Sequence, residues 1–468
     1  MSEPQRLHPA AILEFFIHNI YGLLKAALPL LIVFIAGNSF KWLLLAAPFL
    51  LSLFVLYGIL YWFRYVFYVS EQELRLEYGI FKRKKRYIPF ERIQTVQTSA
   101  GILQRMFGLV KLQVETAGGG SEAEFVLPAL SREKADALRQ ILQVGNRILE
   151  NHTETDASIK YSLSTRSLLL LASTSNGIGV VLSALLVVVS QLDDIFSDLD
   201  IWNKIAGFAE HLVAGKLSLI VLFVIALLLV AWLFSLLGTI LKFGNFHLVR
   251  EGNNIKISRG LLEKQQLTIP IKRIQAITVV EGLLRQPFGM VSIQVVSISN
   301  TGEKGEGSVL FPLLPKQKIV PFLQEVVPEF AMSLQLQGLP ARSRTRYLLI
   351  NIIPALVIAI SCTFLLPWGY LSFILLLLAA WLGNSQFKDA GWETEHDKLL
   401  LRCRRLDRIT TIIPHRRIQS LDVSQNILQK RISVNSLGVA VASGGAGTYV
   451  SLKGIEDEKN DLIINWFD

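Results

Sequence analysis

The sequence predicts an α+β membrane protein: six transmembrane helices in three hairpins, each hairpin followed by a small β-rich domain that ends in a helix. Three observations carry this reading. The 468 residues are 51% hydrophobic and 18% charged, with a mean hydropathy of +0.43, too apolar for most soluble proteins. The apolar excess is concentrated in long charge-free runs. The polar stretches between those runs repeat one another, and such repetition is best sought before any other feature.

The clearest runs are Trp42 to Phe63 and Leu217 to Leu241, each long enough to cross a hydrocarbon core of roughly 30 Å. Four more share their character: Ile20 to Gly37, with Lys25 near its start, Ser167 to Val189, Tyr347 to Leu366 and Trp368 to Gly383. Core helices of soluble proteins seldom hold so many apolar residues in succession. Glu3, Arg6, Glu14 and His18 interrupt the start, so no cleavable signal is expected and the first span is expected to be retained.

The net charge of +10 does not point to nucleic acid, because the basic residues gather beside the spans: Arg64, Lys82 to Arg86, Arg342, Arg344, Arg346 and Lys388. The stretch from Gln191 to Gly215 carries Asp193, Asp194, Asp198, Asp200 and Glu210 against Lys204 alone. The distribution of Lys and Arg places the β domains in the cytoplasm and the short connections outside, in a multi-pass cytoplasmic-membrane protein. The two cysteines, Cys362 within a span and Cys403 in a polar segment, exclude a disulfide framework.

The expected organisation is a hairpin over 1–64, a domain over 65–150, a hairpin over 160–242, a domain over 243–335, a hairpin over 341–387 and a domain over 388–468. The repeat is explicit. The first domain reads Tyr87-Ile88-Pro89-Phe90-Glu91-Arg92-Ile93-Gln94, the second Thr268-Ile269-Pro270-Ile271-Lys272-Arg273-Ile274-Gln275, and the third Ile412-Ile413-Pro414-His415-Arg416-Arg417-Ile418-Gln419. Seven residues after each Gln come Gly101-Ile102-Leu103-Gln104-Arg105, Gly282-Leu283-Leu284-Arg285-Gln286 and Asn426-Ile427-Leu428-Gln429-Lys430. Phe107-Gly108 and Phe288-Gly289 follow in the first two copies, whereas the third has Ile432-Ser433.

Within the domains the period is two. Leu74 to Tyr78, Leu109 to Val114 and Ile255 to Ser258 alternate apolar with polar, as half-buried antiparallel strands do. Each domain is expected to hold six or seven strands and to close with a helix: Ser131 to Leu149, Pro315 to Val327, and Ile455 to Phe467, the last with Glu456, Asp457 and Glu458 at its positive end. Such a helix can cover an open end or edge of a small barrel.

Together, the Ile-Pro-x-x-Arg-Ile-Gln signature, the hairpin before it and the threefold repetition resemble bacterial pleckstrin-homology-like domain membrane proteins of the YdbT type with three tandem domains. The resemblance implies a PH-like split β-barrel with a C-terminal helix in each unit. It also implies a place in envelope maintenance or stress response. It supplies no biochemical activity.

Several residues are candidates for function. Arg92, Arg273 and Arg417 can each offer a bidentate fork to an anionic headgroup or a partner carboxylate, or can hold their own domain together. Pro89, Pro270 and Pro414 are expected to start a strand at an edge, and Gln94, Gln275 and Gln419 to satisfy backbone groups. The run Lys82, Arg83, Lys84, Lys85 and Arg86 can attract anionic lipid or serve as a solvated hairpin. Its counterparts differ: Glu263-Lys264-Gln265-Gln266 in the second domain, and Arg402, Arg404 and Arg405 in the third. Gly118 to Gly120, Gly302 through Gly307 and Gly444 to Gly447 lack the Lys-Ser or Lys-Thr of a phosphate loop and are expected to be loop tips.

No catalytic constellation, metal site or cofactor is indicated. The expected partners are the bilayer and either another protein or further copies of the chain. The sequence therefore favours a non-enzymatic membrane scaffold. The alternative is a transporter or lipid-handling protein with a path between the helices, drawing on polar residues such as Ser173, Ser175, Asn176 or Asn351.

Overall fold

The computed structural model describes residues 4–16, 52, 55–70, 72–80, 82–116, 125–147, 159–175, 177, 179, 183, 217–297, 308–365, 369–443 and 447–467. The expected span Ile20 to Gly37, most of Trp42 to Phe63, about half of Ser167 to Val189, the acidic stretch after Gln191, Asn176 and nearly all of the glycine clusters lie outside them.

Among the described residues each unit contributes seven strands. In the first these are β1 (Gln5–Arg6), β2 (Val66–Val69), β3 (Glu73–Tyr78), β4 (Lys84–Pro89), β5 (Ile93–Ala100), β6 (Leu109–Thr116) and β7 (Phe125–Ser131). The second has β8 (Ile159–Ser162), β9 (His247–Glu251), β10 (Asn254–Arg259), β11 (Lys264–Pro270), β12 (Ile274–Glu281), β13 (Met290–Ser297) and β14 (Ser308–Pro315). The third has β15 (Gln337–Gly338), β16 (Gly391–Glu395), β17 (Lys398–Arg404), β18 (Arg408–Pro414), β19 (Ile418–Ser424), β20 (Val434–Val441) and β21 (Thr448–Glu456). The closing helices are Arg132–Arg147, Ile319–Val326 and Asp457–Phe467.

Alternation along the strands builds the cores. Leu74 and Leu76 of β3, Leu112 and Val114 of β6, and Leu127 of β7 turn inward beside Leu138 and Leu142 of the closing helix, all under 5% exposed. The same arrangement gives the second core Ile255, Ile257, Ile293, Phe322 and Leu323. At roughly 25 cal/mol per Å² of apolar surface removed from water, such burial is the main driving force of each domain.

The signature prolines end strands rather than start them. Pro89, Pro270 and Pro414 are the last residues of β4, β11 and β18, with φ near −62°, −67° and −66°, and each leads into a 3₁₀ turn: Phe90–Arg92, Ile271–Arg273 and His415–Arg417. Proline's fixed φ suits the extended residue before such a turn, and its missing N–H costs nothing where the ladder stops. The Phe-Gly pair marks a left-handed position: Gly108 and Gly289 have φ of 64° and 60°, and Ser433 takes 46° at the same place in the third domain. A serine there is strained where glycine is free.

Three helical segments among the described residues are long and apolar enough to cross a membrane: Ile225–Phe243, Ala341–Leu365 and Gly369–Asp389. The last two pack closely. Asn351 Nδ2 donates to Gln386 Oε1 at 2.8 Å, and a Cβ on Gly383 would lie 2.6 Å from the Tyr347 carbonyl oxygen. Small residues let apolar helices approach in this way.

Before each apolar region, a short strand pairs with the first strand after it. β1 pairs with β2, β8 with β9 and β15 with β16. β8 and β15 therefore belong to the sheets, although β8 falls largely within the expected hairpin 160–242 and β15 between the expected domain 243–335 and hairpin 341–387. Side chains anchor these segments to their domains: Trp62 Nε1 donates to the Leu7 carbonyl at 3.1 Å, Tyr161 of β8 packs against Phe322 of the closing helix, and Ser343 Oγ, just after β15, donates to the Gly454 carbonyl of β21 at 2.7 Å.

Candidate functional site

The signature lies where one domain meets the next, because the sheets do not stop at domain boundaries. One seven-stranded sheet runs β7-β6-β5-β11-β10-β9-β8 and another β14-β13-β12-β18-β17-β16-β15. The rear half of one domain and the front half of the next thus form a single antiparallel sheet, joined at β5·β11 and β12·β18. A strand adding to a sheet edge gains backbone hydrogen bonds whatever its side chains.

At the first junction the side-chain chemistry is mostly neutral. Arg139, on the closing helix of the first domain and 8% exposed, donates from Nη2 to Thr268 Oγ1 at 2.5 Å. Burial holds its guanidinium below its ordinary pKa, against the pull of Asp136 and Glu251. Arg105 donates to the Leu261 carbonyl at 2.9 Å, and Thr98 Oγ1 to the Gln266 carbonyl at 3.5 Å.

The second junction is ionic. Arg408 of β18 reaches Glu281 of β12 at 2.9 Å and Asp389 at 2.5 Å, while Arg404 reaches Asp389 at 2.6 Å and Gln286 at 3.1 Å. Burial works to lower the pKa of Arg408, but hydrogen bonds and charge from Asp389 and Glu281 raise it above its ordinary value. Leu283 N–H also donates to Asp407 Oδ1 at 3.0 Å. Asp389 ends an apolar helix, so this network ties that helix to both domains.

Two of the three signature arginines reach into the preceding domain. Arg273 Nη2 donates to the Glu91 carbonyl at 3.4 Å, and Arg417 lies 3.9 Å from Glu329, which also accepts from Arg416 Nε at 3.0 Å. Arg92 is exposed. Gln275 is 4% exposed and donates to the Arg273 carbonyl at 3.2 Å, whereas Gln419 is exposed. Gln94 lies on β5.

The basic run occupies the turn before β4 and the strand itself. Arg83 and Lys85 both pair with Glu77, at 2.7 and 3.2 Å, and Lys84 and Arg86 approach the Tyr78 ring. Lys82 is exposed. In the second domain the equivalent hairpin abuts the end of an apolar helix, where Leu261 N–H donates to the Leu241 carbonyl at 2.9 Å. Sequence reasoning missed Arg139, Glu281, Asp389 and Arg408. Only Glu281, a lone charge between Val279-Val280 and Leu283-Leu284, stands out in the sequence; the other three lie among further charged residues.

A model of the bacterial PH domain matches residues 20–144, 205–325 and 340–463, one match for each unit. The chain belongs to the bacterial PH domain family. It is 36% identical, over its whole length and 98% of the relative's, to the UPF0699 transmembrane protein YdbT of Bacillus subtilis strain 168. It is also 31% identical over 83 residues to the UPF0699 transmembrane protein YdbS of the same organism, covering 18% of this chain and 50% of that protein. The chain is thus a transmembrane protein of the UPF0699 family with tandem bacterial PH domains, and the junctions just described join three such domains.

Proposed function

We propose that the chain is a cytoplasm-facing membrane scaffold, without enzymatic activity of its own, that presents three bacterial PH domains as one continuous surface to protein partners. The observation that carries this reading is the pair of shared sheets. Domains joined through backbone ladders hold a fixed spacing, which suits repeated recognition better than flexible tethering does.

The clasps support the topology. A strand before each apolar region pairs with the strand after it, so the chain enters and leaves every such region on one side, and any crossing must occur an even number of times. Six spans in three hairpins fit that requirement. The alternative of a path between helices has less support: Ser175 Oγ and Ser235 Oγ bond one another at 2.9 Å, and Asn351 bonds Gln386, so these polar groups join helices.

Two measurements test the proposal. In intact cells a membrane-impermeant maleimide should label Asp198→Cys but spare Lys134→Cys, Asn253→Cys and Glu458→Cys until the cells are permeabilised. Labelling of the latter three from outside would overturn the orientation. Affinity purification from mild detergent should return a stoichiometric partner, either another protein or a differently tagged copy of the chain, and return of lipid alone would sink the scaffold.

A further inference from the structure

The two junctions share one register. Lys264 faces Ala100 and Thr268 faces Val96 at the first; Arg408 faces Glu281 and Ile412 faces Ile277 at the second. Lys264 precedes Pro270 by six residues, as Arg408 precedes Pro414, and Ala100 follows Gln94 by six, as Glu281 follows Gln275. The repeat therefore encodes a standard joint with a donor strand in front of the signature proline and an acceptor strand behind the signature arginine.

Three domains carry three donors and three acceptors, but the described residues make two joints. Among the described residues, β4 ends its sheet with β3 as its sole neighbour, and β19 ends its sheet beside β20. Their burial matches edges awaiting a neighbour. Residues 84–87 of β4 are all exposed, with Tyr87 at 52%, whereas Thr268 and Ile412, which hold the place of Tyr87 in the other two domains, are buried. Val423 of β19 and Gln425 just beyond it are exposed, whereas Val279 and Glu281, which hold their places in the second domain, are buried.

We infer that β4 of one copy adds to β19 of a second copy, so that the array continues head to tail from molecule to molecule. The inference rests on the scaffold reading and names its partner. The register of the two internal joints places Arg83 opposite Gln425, Arg86 opposite Asp422 and Tyr87 opposite Leu421. An opposite-charge pair and an aromatic-aliphatic pair, set directly across from one another, are the combinations that stabilise antiparallel neighbours. Two β4 strands would instead set cations against cations, and basic residues on an edge discourage indiscriminate pairing. The cation-rich donor thus selects an acceptor carrying an acid, and β19 of this same chain is one. A joint of five facing pairs is weak in dilute solution, but confinement of all copies to one membrane raises their effective concentration. Heterologous joints of this kind close into a ring or extend as a filament according to the rotation at each step.

The test uses full-length chains in native membranes with Cys362→Ser and Cys403→Ala as background. One tagged chain carries Arg86→Cys and a differently tagged chain carries Asp422→Cys. Mild oxidation should give a disulfide-linked species bearing both tags, with roughly fivefold less product when Tyr87→Cys replaces Arg86→Cys and the register is broken. Separately, Arg86→Asp should lower co-purification of differently tagged copies by about tenfold, and adding Asp422→Arg to the same chain should restore it. That restoration separates the joint from simple misfolding.

Absence of the two-tag product, with Lys134→Cys, Asn253→Cys and Glu458→Cys still protected from outside label, overturns self-association and leaves the scaffold standing. Capture of a different protein by Asp422→Cys, such as a chain with a single bacterial PH domain, also overturns the second copy as occupant. Outside labelling of the three domain positions would overturn the scaffold instead, whatever the cross-link shows.

Discussion

The joints at β5·β11 and β12·β18 have the same backbone geometry and opposite chemistry. The first sets Thr98, Gln97 and Val96 against Gln266, Leu267 and Thr268, with Arg139 donating to a hydroxyl; the second encloses Glu281, Arg408, Asp389 and Arg404 in a nearly buried ion network. The ladder makes each joint possible, and the side chains decide which strands may form it. A buried ion network stabilises less than its contacts suggest, because both partners lose hydration, but removing one member leaves the other charge stranded. The ionic joint should therefore be the more selective and the more easily broken by a single change.

The largest effect is expected from Glu281→Ala, which strips Arg408 and Lys316 of a carboxylate that is 7% exposed. A cost of about 3 kcal/mol is expected, read as faster hydrogen exchange in β12 and β18 while β5 and β11 keep their protection. Equal loosening at both joints would break the distinction drawn between them. Thr268→Val, at the neutral joint, removes the acceptor of Arg139 and should cost about 1 to 3 kcal/mol, with faster exchange confined to β5 and β11.

The signature arginines should rank by what they touch. Arg417→Ala, half-buried beside Glu329, should cost about 1 kcal/mol, Arg273→Ala less, and Arg92→Ala should stay within about 0.5 kcal/mol. Thermal unfolding of the three variants in one detergent checks the order, and a large loss from Arg92→Ala alone would reverse it.

The smallest effect concerns Glu115 of β6, which accepts from Thr95 Oγ1 at 3.1 Å. Burial raises its carboxyl pKa above the ordinary value, with the Thr95 bond pulling the other way. A raised folded pKa means that the group's contribution is intact in acid and is lost as pH rises through that pKa. Glu115→Gln should accordingly raise the melting temperature by about 2 °C at pH 7.5 and leave it unchanged at pH 4.

Much of the domain structure was legible in the sequence, and most of the joint was not. Period-two runs such as Leu74 to Tyr78 gave strands because alternation reports a half-buried face. The signature gave the repeat because the turn after Pro89, Pro270 and Pro414 recurs in each domain. Alternation says which face of a strand is buried, however, not which strand lies beside it. The partner of β11 is 168 residues away where Thr98 meets Gln266, and no local pattern encodes such a distance. The clasps left a fainter trace: Ile159-Lys160-Tyr161 and Leu334-Gln335-Leu336-Gln337 alternate as strands do, at the margins of the expected hairpins and domains. The place of the prolines is not legible in the sequence, because an absent N–H fits either end of a strand and only the 3₁₀ turn that follows decides between them.

The shared sheets also set a timetable for synthesis. β5 leaves the ribosome long before β11, with a second apolar region to be made between Ala100 and Lys264. At roughly 5–20 residues per second, each nascent chain holds an unfinished sheet edge for on the order of ten seconds. Thr95, Gln97, Thr98 and Ser99 make that waiting edge polar, whereas Ile277, Val279 and Val280 make the later one on β12 apolar. Neighbouring nascent chains on one membrane could trade strands during that interval, and the polar edge is the one that must wait longer.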